Sequence, residues 1–121
     1  MNRELEAFKI DVEGDAIVVA PQGDSHGFRY DALHYEYNQL HKALLAPDVK
    51  HLVVDLMSVE FLGSLMLGVI IKLSKKVKDR GGKVVVCNAS DQMKTILEMQ
   101  NLTGVWPQFA ARGDALKSLA G

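Results

Sequence analysis

The segment His51–Leu56 (HLVVDL) sets the tightest limit on what this chain can become. It is too apolar to alternate between a wet and a dry face, so it reads as a strand in the middle of a sheet with both sides covered. A short connection, Met57–Gly63, follows. A helix then runs from Ser64 to about Arg80. Its first turns are apolar nearly all round (Leu65, Met66, Leu67, Val69, Ile70, Ile71), and its later turns are cationic (Lys72, Lys75, Lys76, Lys78, Arg80). Ser64 stands where that helix starts, and a hydroxyl there suits the unbonded N–H groups of a first turn. A strand that delivers one hydroxyl to a helix N-terminus has the geometry of a site.

The flanking segments supply the rest of a layered domain. Phe8, Ile10 and Val12 alternate with Lys9 and Asp11, the pattern of a half-buried strand. Glu13-Gly14-Asp15 is a turn signal and Ala16–Ala20 a second strand, so a β-hairpin opens the domain. After the glycine-containing loop Gln22–Gly27, Leu33, Tyr37, Leu40, Leu44 and Leu45 recur at helical spacing, with Asp31 as candidate cap or a start one turn earlier, and Pro47 as stop. Past the central strand and helix, Gly81-Gly82 stands where a helix C-terminus favours glycine. Lys83–Cys87 is another buried strand. Ser90 and Asp91 cap a helix with Met93, Ile96, Leu97 and Gln100 on its inner face. Leu102–Gly104 turns the chain, and Val105–Phe109 is a short edge strand, since Pro107 cannot donate to a ladder. Asp114 begins a weak last helix to Leu119. The order β-β-α-β-α-β-α-β-α predicts a single α/β domain. Its sheet is mixed, four- to five-stranded, opened by the hairpin and packed with about four helices.

Length and charge narrow the function. The 121 residues fit one domain, 1–121, with the polar Met1–Glu6 expected to be flexible. A net charge of −1 gives no steering towards nucleic acid, and Tyr30, Tyr35, Tyr37 and Trp106 are not interleaved with basic residues for base stacking. No phosphate-binding glycine loop is present, and no cofactor is expected. His34 and His41 share a helical face, but no carboxylate or cysteine completes a metal set with them, nor with His26 or His51. The lone Cys87 reads as a buried thiol of a reducing compartment. No run approaches the roughly 18 apolar residues of a membrane span, so a cytoplasmic protein is expected, without direct membrane insertion.

The element order, with Gly23 and Asp24 ending the hairpin, resembles the STAS domain, the fold of anti-sigma factor antagonists. The central segment carries most of the likeness. Family members read Phe-hydrophobic-Asp-Ser-Ser/Thr-Gly-Leu-Gly-Val, and this chain places Phe61, Leu62, Gly63, Ser64, Leu65, Met66, Leu67, Gly68 and Val69 there. The Gly81–Cys87 connection and strand, and the Leu102-Thr103-Gly104-Val105 turn, also match. The serine is kept. The motif's Asp is replaced by Gly63, its second hydroxyl residue by Leu65 and its first glycine by Met66.

The resemblance implies a non-catalytic regulatory module of transcription. Its partner would be an anti-sigma factor of the serine-kinase type, met through Leu62, Gly63, Ser64, Leu65, Met66 and Asp24. Ser64 would be the phosphoacceptor whose modification ends binding. Two roles remain open for Ser64: that phosphoacceptor or a plain N-cap, with the degraded motif favouring the cap. The alternative function is a non-phosphorylated accessory subunit of a transporter or lipid-transport complex, contacting an ABC-type ATPase. A serine-nucleophile enzyme fits poorly, because Gly63-Ser64-Leu65-Met66-Leu67 lacks the second glycine of a nucleophile elbow.

Overall fold

In a computed structural model, which describes residues 7–22, 30–60 and 62–120, the chain forms a five-stranded sheet with helices on both faces. The elements are β1 (Phe8–Glu13), β2 (Ala16–Pro21), α1 (Tyr30–Leu44), β3 (His51–Asp55), α2 (Ser64–Asp79), β4 (Val84–Cys87), α3 (Asp91–Met99), β5 (Gln108–Phe109) and α4 (Arg112–Leu119). The hairpin β1–β2 is antiparallel, in the register Ile10 opposite Val19, and turns at Gly14 with φ +62°, where a side chain would be strained. The β2–β3, β3–β4 and β4–β5 pairs are parallel.

Strand order equals chain order, β1-β2-β3-β4-β5. Successive crossovers of one hand that always advance in one direction put their helices on one face. Leu40 and Leu44 of α1, Met66, Ile70, Leu73 and Val77 of α2, and Met93 and Leu97 of α3 accordingly share one core with Leu52 and Val54. Ala115 of α4 packs on the opposite face against Ala16, Val18, Val53, Val85 and Cys87. The period of two in β3 thus sends Leu52 and Val54 one way and Val53 the other, which is why its sequence shows no polar alternation. The strand order never reverses, so this sheet has no switch-point crevice of the kind that holds ligands in doubly wound folds.

Several element ends differ from the sequence reading. The helix α1 begins at Tyr30, ahead of Asp31. Ser90 alone caps α3, its Oγ accepting from Met93 N–H at 3.0 Å, and Asp91 is already helical. Gln100 lies beyond that helix and is exposed, because the apolar stripe ends at Leu97. Only Gln108 and Phe109 of the expected edge strand pair with β4. The helix α4 starts at Arg112, two residues before Asp114. Gly82 serves close approach as well as helix termination: a Cβ there would lie 1.8 Å from the Lys50 carbonyl oxygen. Among the described residues no helix is long and apolar enough to cross a membrane.

Candidate functional site

Leu56 follows β3 and is buried, and the connection after it returns the chain over the sheet end to α2. Leu62 is 5% exposed and seals this turn to the core. Gly63, with φ −68° and ψ 164°, is the extended residue ahead of the helix and therefore its N-cap. Ser64 is the first helical residue and caps nothing, which corrects the expectation of a Ser64 N-cap. The reason is one of register: only the extended residue before the first helical one can reach back to the free N–H groups with its side chain, and at that place stands a glycine. Ser64 is exposed, and its hydroxyl makes no hydrogen bond among the described residues.

The other expected contact residues divide by helical phase. Leu65 is 42% exposed, whereas Met66 is fully buried. Leu62 and Met66 therefore cannot face a partner: the apolar stripe that fixes α2 on the sheet runs through Met66, Ile70, Leu73 and Val77. Asp24 lies outside the described residues, as do Gly23, His26 and Phe61.

Beside the serine a groove of about 230 Å³ opens between α1 and α2. His34 and Tyr37 line it from α1, and Ser64, Leu65, Gly68 and Lys72 from α2. The Tyr37 ring stacks on His41, 5.9 Å between centroids and 6° between planes, and Lys72 Nζ stands 5.9 Å from the Tyr37 centroid. Beyond Lys72 the outer face of α2 exposes Lys75 and Lys76. The two helices are tied at their far ends by Arg80, whose guanidinium donates to the carbonyls of Leu44, Ala46 and Val49. These are orphan or loop carbonyls at the end of α1, so the guanidinium also completes that helix terminus.

A second polar cluster lies under α4, and it was not read from the sequence. Asp55, whose side chain is 1% exposed, accepts from Met57 N–H (3.0 Å) and Asn88 Nδ2 (3.0 Å) on one oxygen and from Arg112 Nε (2.9 Å) on the other. Arg112 also donates to Asp11 Oδ2 at 2.9 Å. Burial pushes the Asp55 carboxyl up, but donation by Asn88, Met57 and Arg112 outweighs it, and the net shift is downward. Its neighbour Cys87 is buried, and burial first, then the Asp55 charge, push the thiol up to about 12. Such a thiol stays protonated and unreactive. The sequence signal was the single acid in an otherwise apolar strand. Parity places it on the α4 face, away from α2, so Asp55 does not replace the carboxylate that the Ser64 motif lacks.

The sequence pattern of the STAS domain matches residues 8–115. The anti-sigma F factor antagonist of Paenibacillus polymyxa is 28% identical over 81 residues, covering 67% of this chain and 69% of that protein. A STAS-domain anti-sigma-factor antagonist from Planctomyces limnophilus superimposes with a TM-score of 0.78 at 20% identity, covering 94% of this chain and 98% of that one. The antagonist SpoIIAA superimposes in its unphosphorylated form with a TM-score of 0.78 at 16% identity (95% and 97% covered). Its phosphorylated form, described as a Bacillus cell fate determinant, gives 0.72 at 16% identity (93% and 98% covered).

Proposed function

Given that the chain belongs to the STAS domain family, we propose that it is a regulatory protein-interaction module without catalysis of its own, docking a partner through the Ser64 corner and α2. The observation that carries this reading is the contrast of Ser64 and Leu65, both exposed at the mouth of a groove, with a fold that is complete beneath them. The resemblance to anti-sigma antagonists, one of which has been seen with and without phosphate, points to an anti-sigma factor of the serine-kinase type as the partner and to Ser64 as the phosphoacceptor.

The physics of such a switch is one-sided. A phosphate on an exposed first-turn serine sits in water beside the positive end of a helix, which favours it by about 0.3–1 kcal/mol. The same dianion enclosed unpaired in an interface costs several kcal/mol. Phosphorylation would therefore leave the domain folded and expel the partner, and about 1.4 kcal/mol suffices for each tenfold loss in affinity.

The test is capture of partners from extract of the source cell on the immobilised chain, wild type against Ser64→Asp and Leu65→Glu, with intact mass after incubation of the captured protein with ATP. Retention of a kinase-like partner by wild type alone, with one phosphate added at Ser64, supports the reading. Equal capture by all three chains would sink it. Capture of an ABC-type ATPase, with no phosphate added, would transfer the same surface to the transporter-subunit reading.

A further inference from the structure

We propose that the α1–α2 groove and the lysine face of α2 receive an acidic amphipathic segment of the protein partner, seating one apolar side chain over Gly68 and carboxylates on Lys72, Lys75 and Lys76. The inference rests on the partner-binding reading above and adds the chemistry of what is bound.

Three observations carry it. The first is Gly68. A glycine in the middle of a helix weakens it relative to alanine. Here the fold asks for no glycine: a Cβ built at Gly68 meets nothing within 4 Å, and its backbone is ordinary helix. What the missing side chain does provide is depth in the groove floor. The second is size. At about 230 Å³ the groove is smaller than the usual small-ligand pocket and suits a single anchor side chain, with the exposed Leu65 on its rim.

The third is charge. Positions 65, 68, 72, 75 and 76 recur on one face of α2, so the lysine strip continues the line of the groove. Lys75 and Lys76 have no ion-pair partner among the described residues, and Lys72 leans on the Tyr37 ring at the groove wall. Nearby carboxylates do not pair with them: Glu36 is buried, its two oxygens accepting from Ala7 N–H (2.9 and 3.1 Å), and the exposed Asp79, one turn beyond Lys75 and Lys76 at the C-terminal end of the strip, makes no ion pair with either. The net charge of −1 reflects exposed acids elsewhere, such as Glu13 and Asp15 on the hairpin. A helix laid in a groove with complementary charges is a known mode of peptide recognition. The sign also agrees with the switch, because phosphate on Ser64 brings negative charge to the slot and repels an acidic occupant while attracting a basic one.

The experiment titrates the full 15N-labelled chain with two synthetic peptides: a Glu-rich amphipathic helix with a leucine stripe, and its counterpart with Lys for Glu. The acidic peptide is expected to shift amides of α1 and α2. Its affinity should fall about tenfold in Lys72→Glu/Lys76→Glu, as expected for the loss of two partly desolvated ion pairs, and should fall also in Ser64→Asp. Gly68→Leu should block it while keeping the dispersed amide spectrum and thermal melt of a folded chain, and Gly68→Ala should weaken it. The proposal is overturned if the basic peptide binds as well, if the acidic peptide binds all variants alike, or if its shifts fall outside α1 and α2. It is also overturned if phosphatidylserine vesicles, not the acidic peptide, bind in a Lys72- and Lys76-dependent way. If the extract still yields a partner lost in Ser64→Asp while the acidic peptide fails, the chemistry proposed here falls and the partner-binding reading stands.

Discussion

Two corners follow β3, one on each face of the sheet, and they are built on opposite terms. At the Asp55 corner a buried carboxylate is saturated: two donors meet one oxygen, a guanidinium meets the other, and the strand end, the Asn88 turn and α4 are joined through it. At the Ser64 corner the hydroxyl is exposed and has no partner among the described residues, and an open groove adjoins it. A group whose bonding capacity is filled inside the fold serves stability, while one left unfilled at the surface costs nothing to leave and is available to a partner or a modifying enzyme. Both corners descend from one strand, and the pleat alone decides which face receives the acid.

The comparison makes quantitative demands. Arg112→Ala leaves Asp55 buried without its cationic partner and should lower unfolding free energy by about 2–3 kcal/mol in urea titration. Ser64→Ala should stay within about 0.5 kcal/mol of wild type. Comparable losses in the two variants would erase the distinction between the corners. The neighbours in α2 sharpen it: Met66→Ala should cost about 3 kcal/mol as a core truncation, and Leu65→Ala a few tenths.

Acidity tests the Asp55 side alone. Its folded pKa lies below the usual carboxylate value, so the stability it contributes is present above about pH 4 and is lost as pH falls through the folded value. Thermal melts of wild type and Arg112→Ala should converge on acidification. At the alkaline end Cys87 has the opposite effect. Its folded pKa of about 12 exceeds the ordinary 9.0, so above about pH 9 the unfolded chain loses a proton that the folded chain keeps. Stability then declines with rising pH. Native protein at pH 8 should resist thiol-reactive reagents until it is unfolded. One expected effect is a gain: Gly68→Ala should raise stability by about 0.5–1 kcal/mol, since the added methyl meets no neighbour. A loss there would mean that the fold itself uses the bare position.

What the sequence determined by itself was the order of elements, the two-sided burial of His51–Asp55 and the family likeness. Each is written in local signals: strand runs, helical spacing, the Gly81-Gly82 stop. It also showed a serine at the start of a helix. Whether that serine caps the helix turned on a single residue of register, and the backbone gave the cap position to Gly63. The separation of Leu65 from Leu62 and Met66 was likewise invisible in an all-apolar stretch, because composition says that a segment is greasy but only the direction of the core says which side chains it swallows. The Asp55–Arg112 bond spans 57 residues of chain and the Arg112–Asp11 bond 101. No local pattern records such pairings, since they exist only once the sheet has brought β1, β3 and α4 side by side.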